Sequence, residues 1–253
     1  MIPKMLGHIW IGPYPIPDHW MRTWTDKHPE WEYRLFDNAY LNSRRWRLQK
    51  HIDEYMRRGA YSGVSDMMRY EILHENGGFI PPSDSICLNA VDDLFTQSKA
   101  YAVYENEVVR GNLMTPFMAA PAANIALSAI IDSIQDHPPQ KLGHAYLSTG
   151  NYLVGKISLR FPDDVIVLPS YTFNPKHITG LRYEGAGKVY AEEFFGTGLD
   201  LYKKQSSNFI SRYLEKRREK RKKKLFWQAM EQAEYPPYTD ADIAISKNNW
   251  RNG

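Results

Sequence analysis

The 253-residue chain carries a single cysteine, Cys87, so no disulfide can close within it and a cysteine-rich zinc site is excluded. No stretch approaches the roughly eighteen uninterrupted apolar residues that a membrane-spanning helix needs, and Met1 to Lys4 lead into a strand-like run without a signal-peptide core. The expectation is a cytoplasmic protein of a reducing compartment. Phosphate-cradling glycine loops are also missing: neither G-x-G-x-x-G nor G-x-x-x-x-G-K-[ST] occurs, which removes ordinary dehydrogenases and P-loop kinases. Without G-x-S-x-G or H-E-x-x-H, serine hydrolase and zincin chemistry have no support. What is present is globular: 43% hydrophobic, 24% charged and 13% aromatic residues, enough apolar material for a core and unlike disordered, collagen or coiled-coil chains.

The net charge of +3 is unevenly spread. Residues 203–224 hold eleven Lys or Arg against Glu215 and Glu219, a local charge of +9 that leaves −6 on the other 231 residues. Helical spacing and flanking aromatics (Phe209, Tyr213, Phe226, Trp227) predict a basic helical extension. Such a segment suits an anionic membrane surface first, with attachment at the inner membrane face, and nucleic acid second.

The body alternates strands and helices. MLGHIWI at 5–11 closes on Gly12-Pro13 and predicts a buried strand ending in a turn. Pro13, Pro15 and Pro17 forbid helix until Asp18, which would cap a helix reaching Lys27, and WEYRLF at 31–36 predicts a second strand. Residues 41–58 are polar and helix-prone. Val64, Met67, Met68 and Ile72 recur at helical spacing and stop at Gly77-Gly78. FIPPSDSICL at 79–88 begins and ends apolar around Pro81 and Pro82, so a strand there must kink. Apolar runs at 101–104, 113–120 and 165–168, and a helix marked by Leu127, Ile130, Ile131 and Ile134, complete an α/β pattern. The prediction is a layered, mostly parallel sheet whose ligands gather at the carboxyl ends of the strands.

The densest chemistry lies between residues 65 and 94. Asp66 and Arg69 share one helical face, the glycine pair turns the chain sharply, and Asp84 follows at the far end of the next strand. A carboxylate placed there can ligate a hard divalent cation, which in turn neutralises a diphosphate. Read singly, each residue has a plainer explanation. Asp66 and Arg69 could be a surface ion pair, Trp10 a core residue, Asp84 a turn residue and Cys87 a buried small hydrophobe. His8, His51, His74, His144 and His177 have no mutual metal spacing and read as satisfied structural or surface histidines.

The combination of IPKMLGHIWIG at 2–12, HPEWEY at 28–33, SDMMRYEILHENGGF at 65–79, CLNAVDDLF at 87–95 and STGN at 148–151 resembles the family-32 type glycosyltransferases. These carry an Asp-x-Asp sugar-binding region, have a GT-A fold and are related to the large glucosylating bacterial toxins. The resemblance implies a GT-A-like domain over 1–202, with 203–253 as the basic extension and polar tail. It implies a retaining enzyme that moves a hexose from a UDP- or GDP-linked donor to a glycan or lipid-linked acceptor in polysaccharide or glycolipid synthesis. Ile9 and Trp10 would flank the nucleobase, Asp66 and Arg69 would hold ribose and sugar hydroxyls, and Asn106 and Asn151, with Glu105 and Asn112 nearby, would contact sugar or acceptor. Asp84 and Arg69 would be catalytic. Asp84 and Glu193, with Glu192 in reserve, would bind Mg²⁺ or Mn²⁺. Pro82 stands where the family has its first aspartate and offers no side-chain oxygen. That departure leaves open a non-catalytic sugar-nucleotide or glycan-binding module of the same fold, and a nucleic-acid-binding protein is the more distant alternative.

Overall fold

A computed structural model describes residues 1–178 and 180–195. The basic segment 203–224, and the membrane-surface role expected of 203–230, lie outside the described residues. The first half runs β1 (Met5–Ile9), α1 (Asp18–Lys27), β2 (Glu32–Phe36), α2 (Asn38–Asn42), α3 (Gln49–Arg58), α4 (Tyr61–Asn76), β3 (Gly78–Ile80) and β4 (Ser85–Cys87). The second runs β5 (Ala100–Tyr104), α5 (Glu107–Arg110), β6 (Met114–Ala120), α6 (Ile125–Gln135), α7 (Ala145–Ser148), α8 (Asn151–Arg160), β7 (Val165–Leu168) and β8 (Ala191–Glu193). Six strands form one sheet in the order β2-β1-β3-β6-β5-β7, with β6 antiparallel to its neighbours, and β4 pairs antiparallel with β8 in a separate small sheet. The mostly parallel α/β architecture expected from the alternation is present.

Burial on both faces explains the continuous apolar runs. All five residues of β1 are buried; Met5 and Ile9 pack with α3, α4 and α6, while Leu6 joins Trp24, Trp31, Phe79 and Phe173 on the opposite face. A strand covered on both sides has no polar face to alternate with. Pro81 and Pro82 divide the 79–88 run into two strands in different sheets, because proline cannot donate to a ladder. Residues 41–58 likewise divide between the end of α2 and the separate helix α3. Asp18 does not cap α1: Pro17 occupies the N-cap without a side-chain bond, and Asp18 instead pairs with Arg22 at 2.5 Å. Cys87 is buried, and burial pushes its thiol up to about 12.

The turn from α4 into β3 aims everything downstream. Gly77 and Gly78 have φ of 67° and 110°, values that disfavour any side chain. A Cβ on Gly78 would also lie 2.7 Å from the Met5 carbonyl oxygen. Gly78→Ala is expected to cost about 3 kcal/mol, seen in urea denaturation as a lower midpoint with an unchanged slope; a midpoint equal to wild type would show that this turn is not constrained.

Candidate functional site

Three loops meet at the carboxyl ends of parallel strands β1, β3 and β5. After β1, the Trp10 amide donates to the Phe36 carbonyl at 3.0 Å and its indole to the Tyr14 carbonyl at 2.9 Å. Asn38 clamps this turn through two 3.0 Å bonds to the Gly12 backbone. The buried Ile9 carbonyl accepts the Ser83 hydroxyl at 2.9 Å, tying the loop after β1 to the segment that ends in Asp84. In the sequence, Ser83 is marked only by its place between Pro82 and Asp84.

Asp66 and Arg69 are a buried pair, with Arg69 Nη1 3.4 Å from Asp66 Oδ1 and side-chain exposures of 6% and 13%. Arg69 Nε also donates to the Ile80 carbonyl at 3.3 Å, so α4 and the end of β3 share one cation. Thr149 Oγ1 donates to Asp66 Oδ2 at 3.1 Å, and a Cβ on Gly150 would stand 3.1 Å from that same oxygen. The Tyr70 hydroxyl donates to the Thr149 carbonyl. The STGN motif is thereby pressed against α4. Burial pushes the Asp66 carboxyl up to about 6, with Arg69 and Thr149 pulling in the other direction. On β1, His8 lies against the rings of Trp24 and Tyr33, and its buried ring nitrogens have no hydrogen-bond partner among the described residues. Burial first, and then Arg69, bring His8 down to about 3, so the ring is neutral. It is buried, not satisfied.

The β4–β8 ladder places Ser85 opposite Glu193, and the Phe194 amide donates to the Asp84 carbonyl at 2.8 Å. Asp84 and Glu193 are therefore neighbours, although 109 positions separate them in sequence. Alternation along β8 sends Glu192 to the opposite face from Glu193. Burial, then the charges of Asp84 and Glu105, hold the Glu193 carboxyl well above the usual carboxylate range, and only Arg69 opposes them. Asn174, with its amide turned to donate, reaches Glu193 Oε2 at 3.2 Å. Asp84 and Glu193, both half-buried and neighbours across this ladder, offer the hard oxygen donors that suit a divalent cation. Among the described residues, no three His, Cys, Asp or Glu side chains are grouped to hold a metal by themselves.

The two asparagines fall differently. Asn106 Oδ1 accepts the Val108 amide at 3.1 Å and so closes the start of α5. Asn151, at the first position of α8, donates Nδ2 to Glu105 Oε2 at 2.9 Å. His177 also reaches Glu105, Nε2 to Oε1 at 3.2 Å. Nothing in the spacing of His177 announces this contact.

No protein-family model matches the chain, and a search of curated proteins finds no match. Among solved structures, the PaToxG glycosyltransferase superposes with a TM-score of 0.52 at 13% identity, covering 63% of this chain and 69% of that one. The fold is GT-A-like. The UDP-bound glycosyltransferase domain of the YGT toxin gives 0.47 at 9% identity over 66% of this chain and 79% of that domain. A glycosyltransferase involved in glycosylation of the major capsid of PBCV-1 gives 0.41 at 10% identity over 76% and 93%. No helix among the described residues is long and apolar enough to cross a membrane.

Proposed function

We propose that the chain is a retaining glycosyltransferase that moves a hexose from a UDP- or GDP-linked donor onto an acceptor hydroxyl of a glycan or lipid-linked saccharide. The observation that carries this reading is Glu193, a half-buried carboxyl beside the Asp84 backbone and within electrostatic reach of Asp84, Glu105 and Arg69, with Asp66 paired to that same arginine. Asp84 and Glu105 follow β3 and β5 at the carboxyl ends of the sheet, where ligands of α/β folds commonly gather, and this supports the reading.

Asp84 and Glu193 would hold Mn²⁺ or Mg²⁺, the diphosphate supplying further oxygens because Pro82 supplies none. When bound, the cation would offset charge on the departing nucleoside diphosphate. Arg69, fixed by Asp66 and the Ile80 carbonyl, adds a positive charge that need not reorganise as the leaving group develops. Asp66 accepts a donor hydroxyl with the carboxylate face that Arg69 and Thr149 hold still. Trp10, in a turn clamped by Asn38, offers an indole face to the base. Because no carboxylate is singled out as a nucleophile, departure and attack on the same face of the sugar is the reaction course we adopt.

Thermal-shift measurement with UDP, GDP, UDP-glucose and GDP-mannose, with and without Mn²⁺, tests the reading. A fitting diphosphate at about a hundred times its Kd should add roughly 2.7 kcal/mol, or about 5–10 °C in melting temperature. No shift with any of the four would contradict it. Pro82 favours a second reading, a binding module without turnover; binding without sugar release in both wild type and Pro82→Asp would select that one.

A further inference from the structure

Glu105 follows β5 directly, is 6% exposed, and its amide donates to the Leu113 carbonyl at 2.8 Å. Its two oxygens collect partners from four separate segments. Oε1 lies 3.2 Å from His177 Nε2 and 3.5 Å from Arg110 Nε, in the segment after β7 and in α5. Oε2 accepts from Asn151 Nδ2 at 2.9 Å, in α8, and from the Tyr146 hydroxyl, in α7. Charge-assisted bonds of this kind fix donor geometry more tightly than neutral ones.

The segment 148–151 is consequently held from two sides. Asp66 and Tyr70 grip Thr149, and Glu105 grips Asn151 two residues later. Committing Nδ2 to Glu105 leaves Oδ1 as the acceptor end of the Asn151 amide. Glu105 follows β5 at the same carboxyl edge of the sheet at which Asp84 follows β3, and it is not one of the proposed cation ligands. Buried ionic networks of this sort are weak sources of stability compared with apolar packing, so their value lies in what they orient.

We propose that Glu105 is a positioning residue of the transferase site: by fixing Asn151 and the 148–151 segment against Asp66, it governs the sugar-transfer step and leaves nucleotide affinity alone. The proposal rests on the glycosyltransferase reading above. Full-length wild type, Glu105→Ala and Glu105→Gln are compared in two measurements. Calorimetry gives the Kd of UDP and of GDP with Mn²⁺, and nucleotide release from UDP-glucose and GDP-mannose gives kcat and KM.

Glu105→Ala should lower kcat about 30-fold or more, as a misplaced contact around a reacting group does, while the diphosphate Kd stays within about twofold. Glu105→Gln keeps a carbonyl that Asn151 and Tyr146 can donate to and should recover at least about a third of the wild-type kcat. Should the alanine variant fail to fold, the glutamine variant decides alone, with a measurable fall in kcat at unchanged diphosphate Kd as the supporting result. Unchanged kcat in both variants overturns the proposal, as does a loss of UDP or GDP affinity in step with kcat. If wild type binds neither diphosphate, the transferase reading falls and takes this one with it. If wild type turns over and the variants do too, only the role of Glu105 falls.

Discussion

Asp84→Ala is expected to lower sugar release from the preferred nucleotide sugar by about a hundredfold to a thousandfold, the usual consequence of removing one electrostatic contact to developing charge. Folding should survive. The Asp84 carbonyl accepts the Phe194 amide, and alanine keeps that bond. The Asp84 charge raises the proton affinity of Glu193; without it, Glu193 should titrate closer to an ordinary glutamate. Steady-state nucleotide release with saturating Mn²⁺ gives the rate, and circular dichroism melting gives the control. A variant that melts like wild type and turns over at the wild-type rate would remove Asp84 from the chemistry.

The second large effect concerns Asp66 and pH. Its carboxyl is shifted from 3.8 to about 6 by burial, against the pull of Arg69 and Thr149. Tyr55 and Tyr70 also face it, and both phenols are pushed up, by burial first and by the Asp66 charge as well. The folded protein therefore holds this proton more tightly than the unfolded chain. The group's contribution to stability is fully present below about pH 4 and is lost as pH rises through about 6. A shift of roughly two units corresponds to about 3 kcal/mol. Urea denaturation of wild type and Asp66→Asn across this range isolates it, because asparagine does not titrate. The unfolding free energy of wild type minus that of the variant should fall by about 3 kcal/mol between pH 3 and pH 7. A difference that rises with pH would mean that Arg69 outweighs burial and that the site is arranged to keep Asp66 ionised.

The elements that were legible are those whose pattern is local. β1 reads as a strand because both of its faces are covered, and α4 because its apolar residues recur at helical spacing up to a glycine pair with positive φ. Asp66 and Arg69 were legible for the same reason, three residues apart on one helix. β8 was not read as a strand: it has three residues, two of them glutamates, and its partner β4 lies about a hundred positions away. The nearness of Asp84 and Glu193 follows from that non-local ladder, and in the sequence only the family resemblance suggested it. Glu105 gathers its partners from residues 110, 146, 151 and 177, contacts that no periodicity encodes. His8 and His177 look alike in sequence, yet the ring nitrogens of one have no hydrogen-bond partner among the described residues and the other is bonded to Glu105. The basic segment, the clearest charge feature of the sequence, falls outside the described residues.

The most direct test of one donor site shared by α4, the β3–β4 segment and β8 is a crystal structure grown with UDP and Mn²⁺. It should show the diphosphate between Arg69 and the Asp84–Glu193 pair, with the metal on those two carboxylates and uracil against Trp10. Nucleotide bound elsewhere on the chain, with Asp84, Glu193 and Arg69 untouched, would contradict the account.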